Sequence, residues 1–169
     1  VQSALQQMLG DVAWGELDVL VVDMPPGTGD AQLTMAQRVP LAGAVIVSTP
    51  QDIALLDARK AINMFSRVDV PILGIVENMS YFCCPSCGHR AEIFAHGGAK
   101  ACAETYEVDF LAEIPLDIAI RETSDGGRPI VVSQAEGALA EAYMGLARTV
   151  RDKLGGPSAT KPFPRITYA

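Results

Sequence analysis

Four short apolar runs rich in β-branched residues recur along the chain: "LDVLVVD" at 17–23, "AGAVIVST" at 42–49, "PILGIVEN" at 71–78 and "VDFLAEIP" at 108–115. Each is parted from the next by helix-length or longer sequence, which is the βαβ rhythm of a mostly parallel sheet covered by helices on both faces. That rhythm predicts an α/β fold, with helices over 30–39, 52–67 and 98–106. The second opens after Thr49-Pro50-Gln51, with Asp52 as a short polar residue at its start. A longer helix over 134–154 carries Ala138, Leu139, Ala142, Met144, Leu146, Ala147 and Val150, a stripe of nearly helical period that should lie on the sheet.

The chain has 169 residues, 49% of them hydrophobic and 20% charged, enough for one globular domain with a sizeable core. We expect that domain over 1–154 and a flexible or surface-wrapped tail over 155–169, where "GGPSATKPFPRITYA" has no period. The net charge of -7, without a lysine or arginine run, argues against nucleic acid as a partner. No apolar segment reaches the ~20 residues that span a bilayer, and the first residues lack a signal pattern, so a cytoplasmic protein without a membrane partner is expected. The opening "VQSALQQMLGDV" reads as a helix without an initiating methionine, and an upstream part is expected.

The first run ends in a carboxylate and a stiff, glycine-opened turn, "DMPPGTGD" at 23–30. Ligands of open parallel sheets sit outside the carboxyl ends of the strands, where helix N-termini point their free amides. Asp23 at such an end can accept hydrogen bonds from Mg²⁺-bound water. Gly27 and Gly29 let backbone amides approach a phosphate, and Asp30 can cap the next helix. A strand-ending acid followed by a tight surface turn is the structural alternative.

Three of the four cysteines, Cys83, Cys84 and Cys87, fall within five positions, too clustered for a disulfide framework. Cys84-Pro-Ser-Cys87 has the spacing at which two thiolates point at one metal. It suits a redox pair, half a zinc site or half a cluster site, and the surrounding proline and glycine in a loop over 79–97 favour metal over a thioredoxin-like pair. An intrachain Cys₂His₂ zinc site from Cys84, Cys87, His89 and His96 stays open on spacing alone. Cys83 reads as an incidental thiol, Cys102 as a small core residue, and the two histidines as loop-surface residues.

The run "LDVLVVDMPPGTGD", with "VIVSTPQDIALLDARKAINMF", "PILGIVENMSYFCCPSCGHRAEIF", "HGGA", "IPLD" and "SDGGRPIVV" in that order, resembles the Mrp (ApbC) branch of the MinD-like deviant-Walker P-loop ATPases. The resemblance implies a MinD-like fold, Mg-ATP binding with weak hydrolysis, a homodimer, and transfer of an iron–sulfur cluster to apo-protein clients. It further implies that Asp23 is the Walker B aspartate near Mg²⁺ and that Gly27 faces the γ-phosphate. Asn78, read from the residues as a strand-ending turn residue, would contact the adenine edge, and the segment 114–117 would lie near the base. Cys84 and Cys87 of two subunits would bridge one [4Fe-4S] cluster.

One departure stands out. The superfamily's phosphate-gripping loop, glycine-rich with two lysines, has no counterpart in these residues, so the chain alone is expected to bind ATP weakly or not at all. It reads as the C-terminal part of a longer ATPase. Two rival functions follow from the same residues. A MinD- or ParA-like positioning ATPase needs a basic amphipathic helix or basic patch, which "KPFPRITYA" does not supply, and a zinc-loop interaction module needs no catalysis.

Overall fold

A computed structural model of the chain describes residues 7–8, 11–24 and 29–155. Its elements are α1 (Asp30–Arg38), β1 (Ala44–Ser48), α2 (Asp52–Arg67), β2 (Ile72–Glu77), β3 (Phe82–Cys83), β4 (Arg90–Ala91), α3 (Gly98–Thr105), β5 (Phe110–Glu113), α4 (Ile118–Asp125), α5 (Ile130–Ser133) and α6 (Ala138–Leu154). The strands β1, β2 and β5 form a parallel sheet in that order, and β3 and β4 a small antiparallel hairpin. This is the expected α/β architecture, with β2 at its centre.

Burial follows helical period in α2 but not in α6. Of the stripe expected there, Ala138, Met144 and Ala147 are exposed, and the one buried residue of the helix is Ala140, outside that stripe. In α2 the residues Leu55, Ala58, Ile62 and Phe65 recur every three or four positions and form one buried stripe. They pack with Ile46 of β1, Ile75 of β2 and Ala99, Cys102 and Ala103 of α3 in a single core. Cys102 is therefore a core residue, as its alanine neighbours indicate. Val76 follows Ile75, faces the other side of the sheet by strand alternation and is also buried, so β2 is covered on both faces. Helix α6 packs against β5, and an ion pair from Lys153 to Asp109 ties their ends.

Within β2 the ladder to β1 steps from Ala44↔Ile72 to Val45↔Gly74, leaving Leu73 as the extra residue of a bulge. Gly74 there has φ +149°, and a Cβ on it would stand 2.5 Å from the Asp109 carbonyl oxygen and inside the Leu111 side chain. Only glycine lets β2 and β5 approach at that point.

Several local expectations are corrected. The run 17–23 is not a strand: it has no regular secondary structure, and Leu17, Val19, Leu20 and Val21 are exposed, Val21 by 86%. Apolar β-branched composition supplies propensity only, and a strand needs a neighbour's ladder, which no strand among the described residues offers it. Helix α1 begins at Asp30 itself, with Gly29 in the N-cap position, whereas α2 opens at Asp52 as expected, with Gln51 in the N-cap position. Helix α6 starts at Ala138, because 134–137 first closes a turn in which the Gly137 amide donates to the Gln134 carbonyl at 2.9 Å. Helices α4 and α5 and the hairpin were not anticipated. Of the opening helix only Gln7 and Met8, both helical, are described, and 156–169 lie outside the described residues.

At the carboxyl end of β2 the carboxylate of Glu77 is fully buried, 0% exposed. It accepts hydrogen bonds from Ser80 Oγ at 2.7 Å, from the Gly97 amide at 3.1 Å and from the Ala99 amide at 2.8 Å. The last two are the free amides at the start of α3, so a strand-end carboxylate replaces the cap that the helix's own sequence does not provide. Its negative charge also faces the positive end of the helix dipole. Next along, a Cβ on Gly98 would meet the Pro50 carbonyl oxygen at 2.7 Å, so the start of α3 sits directly against the turn that follows β1.

Removing Glu77 would take the acceptor from three donors, the buried Ser80 hydroxyl and Ala99 amide and the partly buried Gly97 amide. In the full-length protein we expect Glu77→Ala to lower the unfolding free energy by about 3 kcal/mol or more, measured by urea denaturation. Gly74→Ala should lower it by about 2 kcal/mol, since neither the backbone angle nor the space admits a side chain. A Glu77→Ala midpoint equal to that of the wild type would refute the capping role.

Candidate functional site

The parallel register brings the carboxyl ends of β1, β2 and β5 together, and short hydrogen bonds join the loops that leave them. The Asn78 amide donates to the Ser48 carbonyl at 2.7 Å, the Ile114 amide to the Glu77 carbonyl at 2.8 Å and the Ser80 amide to the Ile114 carbonyl at 3.0 Å. Asn78 and the segment 114–117 are thus neighbours on one edge. The Asn78 side-chain oxygen accepts from the Met79 amide at 3.0 Å, and Met79 takes the left-handed conformation at φ +54°, so Asn78 does close the strand-ending turn. Asp117 caps α4 by accepting from the Ala119 amide at 2.8 Å.

Asp23 is not drawn to this edge by a strand. It is exposed, in a segment without regular structure, and Gly27 lies outside the described residues. The strand-end position inferred for Asp23 from the sequence is therefore not formed here, for want of a neighbouring strand.

From Ser80 the chain runs out into the β3–β4 hairpin, whose two strands are paired as Phe82↔Ala91 and Cys83↔Arg90. The turn between them holds the cysteine pair. The Cys84 amide donates to the His89 carbonyl at 2.9 Å, and the Gly88 amide returns to the Cys84 carbonyl at 2.8 Å. Hydrogen bonds from the Ser86 amide and then the Cys87 amide, followed by one from the Cys87 thiol, hold the Cys84 thiol below its usual range, against a smaller opposing effect of burial. The proline and glycine of Cys-Pro-Ser-Cys-Gly suit this geometry, proline by fixing φ and Gly88 by taking φ +71°. Cys83 and Cys87 are exposed and Cys84 is half-buried.

The feet of the hairpin are fixed by a polar network that the sequence did not disclose. Leu116 donates its amide to the Tyr81 carbonyl at 2.7 Å, and Phe82 bridges to Leu116. Arg90 Nη2 donates to Glu113 Oε2 at 3.2 Å, while its guanidinium lies 3.7 Å from the centre of the Tyr81 ring. His96 stands between two acids, with Nδ1 3.7 Å from Glu77 Oε1 and Nε2 3.6 Å from Glu113 Oε1. The single Ser80 hydroxyl proton is given to Glu77, so the 3.3 Å contact between Ser80 Oγ and His96 Nδ1 requires the proton to be on Nδ1.

His96 is thus more than a loop-surface residue, and its engagement with Ser80, Glu77 and Glu113 takes it away from the cysteines. Among the described residues no three His, Cys, Asp or Glu side chains gather as a metal-binding group. The Cys₂His₂ arrangement left open by spacing does not form within the chain. Of the network, only Glu77 carried a signal in the sequence: an acid ending a run as apolar as "PILGIV" needs hydrogen-bond partners once that run is buried in a sheet.

Comparison with known proteins gives the family and the fold. The family model described as the NUBPL iron-transfer P-loop NTPase matches residues 1–151. The mouse iron–sulfur cluster transfer protein NUBPL is 53% identical over 154 residues, covering 91% of this chain and 48% of its own length. An iron–sulfur cluster carrier protein of Haemophilus influenzae is 56% identical over 152 residues, covering 90% of this chain and 41% of its own length. The chain thus spans about half the length of the curated relatives it matches. Among solved structures, a nucleotide-binding protein of Archaeoglobus fulgidus in complex with ADP superposes with a TM-score of 0.68 at 40% identity, over 96% of this chain and 58% of that one. The cell division ATPase MinD of Pyrococcus furiosus follows with 0.53 at 28% identity, over 66% and 43% of the two chains. With a matching model over nearly its whole length and a MinD-like α/β fold, the chain belongs to the NUBPL iron-transfer P-loop NTPase family.

Proposed function

We propose that this chain is the cluster-holding part of an iron–sulfur cluster carrier, and that Cys84 and Cys87 are the ligands of its cargo. The observation that carries the reading is the closed 84–88 turn, which holds Cys84 and Cys87 within one hydrogen-bonded loop at an exposed hairpin tip. Amide donors stabilise thiolate charge, and thiolate is the form that binds iron. The donor set fits the cargo. One chain offers two such ligands, and an iron–sulfur cluster takes four, so two copies related by a twofold axis complete the set for a bridging [4Fe-4S] cluster. A cluster so held stays accessible to the thiolates of an apo-protein client, which replace the carrier's one by one. Iron, sulfide and charge are conserved in that exchange.

Nucleotide belongs to the full-length protein in this reading. Asn78 and the segment 114–117 serve the base of Mg-ATP, and Asp23 and Gly27 its phosphate end, in a weak ATP hydrolase of the cytoplasm. The neighbouring positions of Asn78 and 114–117 on one sheet edge support the base end of this reading, while Asp23 is exposed and outside the sheet. The relatives named as cluster carriers and the ADP complex of the archaeal neighbour support both halves of the proposal. The net charge of -7 supports apo-protein clients rather than nucleic acid as the partners. Among the described residues no helix is long and apolar enough to cross a membrane.

Anaerobic reconstitution of the full-length protein with ferrous iron and sulfide tests the reading. Wild type should gain the visible absorption of a [4Fe-4S] cluster with equal iron and sulfide, and the Cys84→Ala, Cys87→Ala double variant should gain neither. Stoichiometric zinc in place of iron, or a cluster indifferent to the loss of both cysteines, would overturn it. The thiol chemistry has its own check in the metal-free protein. Because Cys84 is held below its usual range, its thiolate persists to lower pH. Its alkylation by iodoacetamide, followed by peptide mass spectrometry, should therefore continue at a pH where a free cysteine peptide has slowed by about tenfold. Reaction in step with the free peptide would contradict the amide-to-sulfur bonds.

A further inference from the structure

We propose that Arg90 and Glu113 are a positioning pair for the cysteine turn, clamping the hairpin to the carboxyl end of β5 so that Cys84 and Cys87 are held in one orientation. The inference rests on the reading that these cysteines hold a cluster. The two cysteines sit beyond a ladder only two residues long on each strand, which by itself is too short to fix the direction of its tip. Something outside the hairpin must do so. Arg90 is the residue that reaches out: it pairs across the ladder with Cys83, and it adjoins His89, whose carbonyl holds the Cys84 amide at 2.9 Å.

Its guanidinium is fixed from two directions. The Tyr81 ring lies 3.7 Å beneath it, and Glu113 Oε2 accepts from Nη2 at 3.2 Å. Glu113 in turn is the last residue of β5, paired in register with Glu77, so its backbone belongs to the sheet. Its other oxygen faces His96 Nε2 at 3.6 Å, and His96 leads into the α3 terminus that Glu77 caps. Leu116 ties the β3 side of the hairpin at Tyr81 and Phe82, and on the β4 side the route from the sheet to Cys84 is Glu113, Arg90, His89. Side chains of Arg90 and Glu113 are 45% and 30% exposed, so the pair is partly screened, and its removal should loosen the turn without unfolding the sheet.

The test uses the full-length protein with Arg90→Ala, Glu113→Ala, the double variant and Arg90→Lys. After reconstitution with iron and sulfide, iron loss to a ferrous chelator should be about fivefold faster in either single alanine variant, the upper range for a pair so exposed. The double variant should be faster than either single by less than the product of their effects, because the two share the Arg90–Glu113 contact while each also loses one of its own, to Tyr81 or to His96. Arg90→Lys should return to within about twofold of wild type. Rates indistinguishable from wild type, or a double variant at the product of the singles, would overturn the pair.

Amide hydrogen exchange of the metal-free protein decides independently. The Cys84 and Gly88 amides should exchange about fivefold faster in Glu113→Ala while Ile75 and Val76 in β2 remain protected. If β2 also loses protection, Glu113→Gln, which keeps the shape and drops the charge, replaces it under the same criterion. If the wild type takes up no cluster, the carrier reading fails while exchange still judges the pair. Unchanged exchange at Cys84 and Gly88 would overturn the pair even if the cluster forms.

Discussion

Everything of interest in this chain hangs from one buried carboxylate. Glu77 ends the central strand with no exposure to solvent and gathers the Ser80 hydroxyl and the Gly97 and Ala99 amides around it. Those donors lie on either side of the hairpin, Ser80 before it and Gly97 after it. A single acid thus pins both feet of the excursion that carries the cysteines and seats α3 on the core in the same stroke. An isolated two-stranded hairpin is marginal in water, and the hairpin here is shorter than most. Its order is borrowed from the sheet.

The two ends of the hairpin answer to opposite demands. At the base, burial, a capped helix and the contacts of Glu113, Arg90, Tyr81 and His96 hold the chain in place. At the tip, Cys87 is exposed and Cys84 only half-buried, and a backbone turn replaces packing as the means of ordering the thiols. A ligand pair meant only to stiffen a fold gains from being enclosed, whereas cargo that must leave gains from an open tip on a fixed base. That division of labour is the physical content of the carrier proposal, and it does not depend on how nucleotide takes part.

Much of the fold was legible where local composition and burial agree. The runs at 42–49, 71–78 and 108–115 contain β1, β2 and β5, and α2 has its predicted bounds of 52–67, whereas the stripe read in 134–154 does not set the buried side of α6. The run at 17–23 has the same composition and forms no strand, because a strand is a relation between segments and its composition describes only one of them. The cysteine turn was legible too, since proline, glycine and spacing are local signals. The network around Glu77 and Glu113 was not. It joins residues from β2, β4, β5 and the loop before α3, which only the register of the sheet brings within 4 Å of one another. His96 looked like a surface residue for that reason.

The central claim is that two copies of the chain share one cluster through Cys84 and Cys87. Native mass spectrometry of the reconstituted full-length protein under anaerobic conditions tests it directly, since mass separates the species and identifies the load of each. The account predicts the mass of one [4Fe-4S] unit on the dimer and none on the monomer, and its disappearance in the double cysteine variant. A cluster or a zinc ion carried by the monomer would contradict it.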